Sequence, residues 1–502
     1  MHSTLLLVAL AAGPGLAIAN AQTVPRTQPL RGSLERRLTT LLDQPPFDRA
    51  SWGVYVADDR GRALFARNAD RYFAPASNTK LVVAAAAAVL LPPDYRARTT
   101  LYVTGPISGG VLAGDLVLYG RGDPTWSTRC FGTDTLAAGV CDSAFTAIDA
   151  LADSVRARGI RRVSGQVVGD GSAFEPTTQH WNWGLFDANW WYAAPVSGLA
   201  FNDNSIDFRI APGDSASHPP AITWAPDLGL FTFENRARTV PADSGSTIGD
   251  RFFRRPGSWD IWAEGTVALD RRPWTESFAV PDPNLYAARA LAFALKRRGI
   301  AIEGGTGSTT DSLRYRSARG ATPLAEYRGR PLPEIVFPIL NTSQNTFAEM
   351  LLKLLGREVG AEGSWARGLD VERRFLIDSV RIDSTAFALD DGSGLSAGNL
   401  VTPRAFVQLL AYMRRHPRGG PFLAALPRAG QPGSLARRFT DTPLEGRVVA
   451  KTGSIYRVNT LTGYVERPDG RTVTFAILAN AHTVPTRQML AQIDSIVVQI
   501  GR

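Results

Sequence analysis

The sequence predicts an α+β protein in which an antiparallel sheet flanked by helices is interrupted by a large, mostly β insertion. Three observations support this prediction: a hairpin pattern near the N-terminal end, a strand meander followed by an amphipathic helix at the C-terminal end, and a long region of short strands and turns between them. At 502 residues and 44% hydrophobic, the chain is long enough for two or three domains.

The two chain ends carry the pattern of one shared sheet. Five segments have the alternating or β-branched composition of strands: residues 52–57, 63–66, 448–454, 460–465 and 472–478. The nearly continuous apolar run 81–91 predicts a buried helix. Apolar residues at helical spacing from Met489 to Ile500 predict an amphipathic C-terminal helix.

The middle of the chain, residues 97–331, has the composition of an insertion. Strand-like stretches separated by turn residues occur at 111–118, 165–168, 206–210 and 221–224. We expect two nested β-rich domains here, with the inner one at about residues 171–259. Residues 22–96 and 332–502 would then form the main domain.

Lysine is rare in this chain and clusters in motifs. The 55 basic residues include four lysines, which are Lys80, Lys296, Lys353 and Lys451. Lysine differs from arginine where chemistry needs a cation that can lose its proton, because a buried ammonium shifts its pKa readily. Two of the four occur in Ser77-x-x-Lys80 and Lys451-Thr-Gly, with Ser343-x-Asn345 between them. This distribution indicates an active site.

Ser77 and Lys80 have the spacing of a nucleophile and its base. Ser77 is expected at the N-terminus of the predicted helix, where free backbone N–H groups favour a negative oxygen. Lys80 lies one helical turn further on the same face, and burial would lower its pKa towards general-base use. The structural alternative makes Ser77 a helix cap and Lys80 a surface lysine.

The third motif lies on a predicted strand that can bind an extended peptide. Gly453 allows another backbone to approach closely, and an edge strand can pair with a peptide. Lys451 would supply a charge for a terminal carboxylate, with hydroxyls from Thr452 and Ser454 beside it. The Ser454 backbone N–H would be a second oxyanion donor. The structural alternative is a strand that turns through Thr-Gly for packing reasons.

The three motifs in this order resemble those of penicillin-binding proteins and β-lactamases. The gap between Ser77 and Ser343 is more than twice the gap between Ser343 and Lys451, so a domain-sized insertion separates the first two motifs. This layout resembles the class C low-molecular-weight penicillin-binding proteins, the S13 peptidase family, over nearly the whole mature chain. Further matching segments are Gly-Arg-Gly-Asp-Pro at 120–124, Ala-Pro at 194–195, Asp-Pro-Asn-Leu-Tyr at 282–286 and Asp-Gly-Ser-Gly-Leu-Ser at 391–396.

The resemblance implies both a fold and an activity. The fold would be the transpeptidase domain of penicillin-binding proteins and β-lactamases, with no cofactor or metal. The activity would be that of a serine D-Ala-D-Ala carboxypeptidase or D,D-endopeptidase on peptidoglycan stem peptides, with β-lactam antibiotics as covalent inhibitors. By resemblance, Ser343 relays a proton and Asn345 holds a peptide carbonyl of the substrate.

Two further residues match the family's contacts to the diaminopimelate side chain of the stem peptide. These are Asp187 and Tyr192, an aspartate and an aromatic residue. The family often has a basic residue after its Gly-Leu-Ser segment, but this chain has Ala397 there. Arg457 could replace it if the strand presents it to the same pocket. The tryptophans between residues 181 and 191 are expected to be core residues.

Three other functions remain open. A serine β-lactamase would share Ser77, Lys80 and Lys451 but needs a second base, and no Glu-x-x-x-Asn or Glu-x-x-Leu-Asn segment lies between the second and third motifs. Residues 394–398 match the Gly-x-Ser-x-Gly nucleophile elbow but lack a clear strand-turn-helix setting. A non-catalytic cell-wall-binding scaffold would tolerate loss of the nucleophile or base, and both are present.

The N-terminal segment predicts export. Residues 1–21 are expected to be a removed secretory signal, because apolar runs precede a small-x-small site before Gln22. We therefore expect a periplasmic protein with at most peripheral membrane association. Cys130 and Cys141 would form a disulfide in that compartment. The net charge of +9 comes from scattered arginines without interleaved aromatics, which argues against nucleic-acid binding.

Overall fold

A computed structural model describes residues 33–139 and 141–502, so the predicted signal segment at 1–21 lies outside the described residues. The described chain divides into two compact units. The larger unit contains residues up to Asn204 and from Asp282 onward, and the smaller unit is Ser205–Pro281. Among the described residues, no helix is long and apolar enough to cross a membrane.

The main sheet of the larger unit is antiparallel and combines strands from both chain ends. Its strands, in spatial order, are Ala63–Arg67, Ser51–Ala57, Thr472–Asn480, Val458–Glu466 and Val448–Ile455. Ser51 lies opposite Asn480, which joins the N-terminal hairpin to the C-terminal meander. The predicted hairpin, meander and shared sheet are confirmed. The last strand, called here the KTG strand, lies at an edge of the sheet.

Successive side chains of each strand point to opposite faces of this sheet, and buried apolar residues lie on both faces. One face packs through residues such as Ile477 against the helices Leu34–Asp43 and Thr486–Gly501, and the latter is the predicted C-terminal helix. The other face forms a core with helices Lys80–Leu90, Leu332–Leu340, Asn345–Gly360, Trp365–Arg374, Pro403–Arg415 and Gly419–Ala425.

The helix after Ser77 is buried on all sides. It spans Lys80–Leu90, and its residues 80–88 are all buried. A 3₁₀ turn, Ala76–Thr79, precedes it and carries Ser77. We call these two elements the serine helix and the serine turn. The helix predicted at 81–91 is thus confirmed, and Ser77 lies one residue inside the turn that begins it.

A second set of sheets in the larger unit is built from the outer parts of the predicted insertion. One sheet has the order Thr306–Thr309, Val167–Asp170, Leu116–Gly120, Arg96–Val103 and Ala325–Pro331, and the other has the order Ala301–Ile302, Arg162–Val163, Val111–Leu112 and Ile107–Ser108. The helices of this region are Thr133–Ala138, Phe145–Ala157, Pro283–Arg297 and Arg316–Arg319. Two helices of 13 and 15 residues therefore accompany the predicted strands.

The prediction of one continuous strand-like stretch at residues 111–118 is wrong. The structure has two strands, Val111–Leu112 and Leu116–Gly120, which belong to different sheets. The chain bends between them at Gly114, where an added Cβ would lie 2.7 Å from the Thr104 hydroxyl oxygen. The apolar pattern continued through this bend, so it did not reveal that the strand is interrupted.

The smaller unit contains two three-stranded sheets around an aromatic core. The strands of one sheet are, in spatial order, Ala221–Ala225, Ser205–Ala211 and Trp274–Ala279. Those of the other sheet are Thr232–Val240, Asp260–Ala268 and Phe252–Arg254. The Phe208 ring centroid lies 5.3 Å from those of both Phe233 and Phe252. Contacts between aromatic rings thus contribute to the core of this small unit, together with buried aliphatic residues such as Ile206 and Ile210.

The boundaries of the smaller unit differ from those of the inner domain predicted at 171–259. Residues 171–204 belong to the larger unit and form loops and short 3₁₀ turns. At the other end, Trp274–Ala279 pairs with Ser205–Ala211, so the unit needs residues beyond 259 to complete its sheet. Strand pairing sets these limits, and composition alone did not reveal them.

Candidate active site

The serine turn presents Ser77 on a rigid support. Ser77 is partly exposed, while its neighbours Ala76 and Asn78 are buried. Ala76 adopts a left-handed conformation with φ of 49°. The Pro75 carbonyl accepts a hydrogen bond from the Thr460 hydroxyl at 2.9 Å, which fixes the turn to the main sheet. The serine hydroxyl therefore faces solvent from a backbone that cannot move freely.

Lys80 lies directly against Ser77. Its Nζ donates to Ser77 Oγ at 2.9 Å, to Asn345 Oδ1 at 2.7 Å and to the Ser393 carbonyl at 2.6 Å. Three acceptors match the three hydrogens of an ammonium group. Burial lowers the pKa of Lys80 to about 7, against the opposing influence of the Asp391 and Glu349 carboxylates. A neutral amine is therefore well populated near neutral pH.

Ser343 and Asn345 place the second motif beside both lysines. Ser343 adopts a left-handed φ of 67°, and its Oγ accepts a hydrogen bond from Lys451 Nζ at 2.8 Å. Asn345 begins the helix Asn345–Gly360 and uses both ends of its amide. Its Oδ1 accepts from Lys80, and its Nδ2 donates to the Tyr192 carbonyl at 2.7 Å. The motif thus connects Lys80, Lys451 and the segment that carries Tyr192.

The KTG strand closes the other side of the site. Lys451 is fully buried, and both burial and the nearby Lys80 ammonium hold its pKa well below the usual value. Besides Ser343, its Nζ contacts the Thr452 carbonyl at 2.9 Å. The Thr452 hydroxyl donates to Ser434 Oγ at 3.1 Å. Ser454 is exposed, and its Oγ accepts from Asn459 Nδ2 at 2.8 Å.

Gly453 lets the KTG strand lie against the serine turn. A Cβ at this position would lie 2.2 Å from Thr460 Oγ1, 2.8 Å from the Pro75 carbonyl oxygen and 3.1 Å from the Ser77 nitrogen. Any side chain would therefore push the strand away from Ser77. The expectation that glycine here allows close backbone approach is confirmed, and the approaching backbone is that of the serine turn itself.

The segment 187–192 also reaches the site. Tyr192 contacts Asn345 through its carbonyl, and its hydroxyl donates to Asp187 Oδ1 at 3.0 Å. Burial and the Asp187 carboxylate raise the pKa of the Tyr192 phenol. Both side chains are only partly buried, so the structure brings this predicted pair to the edge of the catalytic cluster with one face open to solvent.

Arg457 and Ala397 are both exposed. Arg457 lies at the tip of the hairpin after the KTG strand, and its guanidinium carbon lies 5.0 Å from the ring centroid of Tyr456. Ala397 lies in the loop 389–399. The structure shows Arg457 stacked on its neighbour, so its predicted contact with a substrate stays a prediction.

Only part of the tryptophan-rich segment belongs to the core. Trp190 is 6% exposed, whereas Trp181 is 67% exposed and stacks on the buried His180 ring. The prediction that these residues are core is therefore wrong for Trp181. Trp183 lies between the two extremes, and its indole N–H donates to Asp391 Oδ2 at 3.0 Å. Composition could not distinguish these positions, since burial depends on which segments pack over them.

Three residues complete the site although their roles were not predicted. Ser393 supplies the carbonyl that accepts from Lys80, and Ser434 accepts from the third motif. Glu349 is a fully buried carboxyl one turn along the helix from Asn345. Its signal in the sequence was a single acid within an apolar helical stretch. Ser393 lay in a segment already matched to the family.

Two observations concern bonds and ligands outside this cluster. The Cα atoms of Cys130 and Cys141 lie 4.6 Å apart, which is compatible with the predicted disulfide. In the described part of the chain, no three His, Cys, Asp or Glu side chains are grouped as metal ligands would be.

Comparison with known proteins agrees with this geometry. The model of the D-Ala-D-Ala carboxypeptidase 3 (S13) family matches residues 34–500. The D-alanyl-D-alanine carboxypeptidase of Actinomadura sp. (strain R39) is 31% identical over 505 residues, covering 98% of this chain and 87% of that protein. Carboxypeptidase DacB of Mycolicibacterium smegmatis is 30% identical, covering 90% of this chain and 81% of that protein.

The fold has a solved counterpart. The crystal structure of penicillin binding protein 4 (dacB) from Haemophilus influenzae superposes with a TM-score of 0.77 at 21% identity, covering 92% of this chain and 98% of that chain. The predicted penicillin-binding-protein fold is therefore confirmed. With a family match from residue 34 to residue 500, the chain belongs to the S13 family of D-Ala-D-Ala carboxypeptidases and is a serine peptidase.

Proposed function

We propose that this protein is a serine D-Ala-D-Ala carboxypeptidase and D,D-endopeptidase that cleaves peptidoglycan stem peptides through an acyl-enzyme on Ser77. β-Lactams would acylate the same serine. The observation that carries the proposal is the 2.9 Å contact between Lys80 Nζ and Ser77 Oγ, with burial lowering the pKa of Lys80 to about 7. An amine with this pKa can accept the serine proton at neutral pH. We place the enzyme in the periplasm, where stem peptides are found.

Acylation begins with transfer of the Ser77 proton to neutral Lys80. The Ser77 oxygen then bonds to the carbonyl carbon of the penultimate D-residue, and the carbonyl oxygen becomes negative. The backbone N–H groups of Ser77 and Ser454 would stabilise that charge. Close packing of Gly453 on the Ser77 nitrogen supports this pairing, because it brings the next residue of the strand to the serine turn.

Ser343 is placed to protonate the leaving amine. Its oxygen accepts a hydrogen bond from Lys451, so its own O–H remains free to donate elsewhere. Ser343 gives its proton to the departing nitrogen and regains one from the Lys451 ammonium, which breaks the C–N bond, releases the C-terminal D-residue and leaves the acyl ester on Ser77. Water then attacks this ester and passes a proton through Ser343 back to Lys451. Lys80 returns its proton to the Ser77 oxygen, so Ser77 is restored with the shortened peptide as product.

Substrate binding would use the open edge of the KTG strand. An extended peptide can pair with this edge, with its terminal carboxylate near Lys451 and the hydroxyls of Thr452 and Ser454. Asn345 Nδ2 has two hydrogens, and only one is needed for the Tyr192 carbonyl. The other can bind a peptide carbonyl of the substrate. Asp187 would pair with the free amine of diaminopimelate, while Tyr192 covers its methylene chain.

Labelled penicillin should acylate Ser77. Because the β-lactam mimics an acyl-D-Ala-D-Ala bond, peptide mass spectrometry should find the label on the peptide that contains Ser77. Ser77→Ala should abolish labelling, whereas Ser495→Ala, on the exposed face of the C-terminal helix, should not. Label that persists in Ser77→Ala would contradict the proposal. Nitrocefin hydrolysis at rates typical of β-lactamases would favour that alternative function.

Lys80→Arg should lower the acylation rate constant at least about 10³-fold, because guanidinium keeps the charge but cannot accept a proton. Lys296→Arg, at an exposed position, serves as the matched control and should behave as wild type. In wild type, protonation of Lys80 removes the base. The rate should therefore fall about tenfold per pH unit below a pH of about 7. An arginine variant within about tenfold of wild type would place the base elsewhere.

Asp187→Ala should reduce kcat/KM for diaminopimelate-bearing stem peptides, because a charge-assisted hydrogen bond is lost. The loss should correspond to about 1 to 3 kcal/mol of transition-state binding energy. Penicillin lacks that side chain, so its acylation rate should stay nearly unchanged. Equal losses with both ligands would indicate a folding defect instead.

Arg457→Ala, assayed in parallel with the same peptides, tests whether this arginine replaces the basic residue missing at Ala397. A loss of kcat/KM comparable to that of Asp187→Ala would indicate that Arg457 binds the diaminopimelate carboxylate. A silent variant would leave that carboxylate to solvent and predict loose selectivity for the third residue of the stem peptide.

A further inference from the structure

A buried carboxyl group lies behind the lysine of the active site. Glu349 is fully buried on the helix Asn345–Gly360 and accepts three hydrogen bonds. Its Oε1 accepts from the Ser393 backbone N–H at 2.6 Å, and its Oε2 accepts from the Gly392 N–H at 3.1 Å and the Trp365 indole N–H at 2.8 Å. Such a complete set of donors holds the carboxyl in one orientation.

These bonds hold the backbone of Ser393, the residue whose carbonyl contacts Lys80. The Ser393 N–H points to Glu349, and the Ser393 carbonyl accepts from Lys80 at 2.6 Å. Glycines on either side let the loop lie between its neighbours. A Cβ on Gly392 would be 2.9 Å from the Ala348 carbonyl oxygen, and one on Gly394 would be 1.8 Å from the Ala76 carbonyl oxygen. The loop is therefore held between the helix of Glu349 and the serine turn.

We propose that Glu349 is a positioning residue of the acylation reaction: by binding the amides of Gly392 and Ser393, its carboxylate aims the Ser393 carbonyl at Lys80 and controls when the lysine is free to act as base. The inference rests on the proposed function, since it requires Lys80 to be the base. Glu349 itself touches neither Ser77 nor the substrate in this mechanism.

Charge adds to this positioning. The Glu349 and Asp391 carboxylates act to retain the proton of Lys80, against the effect of burial. Burial and Asp391 raise the pKa of Glu349 itself to about 7. Lys80 and Glu349 therefore titrate over the same pH range and influence one another. An ionised Glu349 favours the ammonium form of Lys80, so removal of that charge should make the neutral amine available at lower pH.

Other charged groups face this pair from several elements. Glu372 and Asp391 lie near Glu349 on the helix Trp365–Arg374 and the loop 389–399, and Lys353 faces it from its own helix. Lys451 faces Lys80 from the KTG strand. All four remain in place in the Glu349 variants, so their influence on Lys80 is the same in those variants as in wild type.

Glu372 provides a matched control. It is fully buried like Glu349, and neither of its carboxyl oxygens has a hydrogen-bond partner among the described residues. Burial and the neighbouring Glu349 and Asp391 carboxylates raise its pKa well above the usual value, which favours its neutral form. Glu372→Gln therefore changes a buried carboxyl in the same cluster without removing a hydrogen bond from the loop, and Glu372 is not among the carboxylates that act on Lys80.

The test is the pH profile of the second-order rate constant for acylation by labelled penicillin. In Glu349→Gln, we expect the acid limb to move down by about one pH unit, a tenfold change in the protonation equilibrium. Glu372→Gln should follow the wild-type profile. Glu349→Asp keeps the charge but cannot reach both amides, so its limb should stay in place while its plateau falls at least about tenfold.

The scarcity of lysine allows a direct measurement of the base. Labelling with [ε-¹³C]lysine gives signals from only four side chains, which single Lys→Arg variants assign. The titration midpoint of Lys80 should move down in Glu349→Gln and stay unchanged in Glu372→Gln. The exposed Lys296 is the internal reference.

The inference is overturned if neither the acid limb nor the Lys80 titration midpoint moves in Glu349→Gln. A change in the plateau rate alone would not support it, because a merely structural role also lowers the plateau. Equal shifts in Glu372→Gln would also overturn it. If Glu349→Gln does not fold, a wild-type plateau in Glu349→Asp overturns it instead. Wild-type acylation without an acid limb, or undiminished in Lys80→Arg, would refute the proposed function rather than the role of Glu349.

Discussion

The burial of one lysine amine determines how the catalytic part of the chain is arranged. A desolvated ammonium is costly unless hydrogen bonds replace its lost water. Lys80 obtains them from Ser77, from Asn345 on a helix more than 260 residues later, and from the Ser393 carbonyl in a loop. Folding must bring these three segments together to satisfy the amine. The same convergence brings together the proposed nucleophile, base and relay, so stability and the geometry of the site depend on one set of contacts.

Small residues make that convergence possible. Gly453 and Gly394 let the KTG strand and the loop 389–399 lie close to the serine turn, where any Cβ would meet backbone atoms. The serine helix contributes a run of alanines, so its neighbours can pack closely around the buried lysine. Close backbone packing also excludes water from Lys80, and this exclusion lowers its pKa.

Local patterns predicted the main sheet and the three motifs well, because strand alternation and motif spacing are properties of short segments. The limits of the smaller unit were not predictable, since they depend on pairing between strands at 205–211 and 274–279. The role of Ser393 was not predictable for a different reason. Its backbone carbonyl accepts the hydrogen bond from Lys80, and every residue has a backbone carbonyl, so the residue type gives no signal. Glu349 carried a sequence signal as a lone acid in an apolar helical stretch, but the two backbone amides that it binds lie more than 40 residues away.

Under the proposed function, the two buried lysines of the site would favour a substrate with a free carboxylate. Lys80 and Lys451 lie close enough for the charge of one to lower the pKa of the other. In the free enzyme a proton on Lys451 therefore disfavours one on Lys80, and the reverse also holds. A terminal carboxylate bound beside Lys451 would neutralise its charge and remove that competition. Recognition of the peptide end and the protonation state of the proposed base would thus be coupled through Coulomb interaction between two fully buried amines.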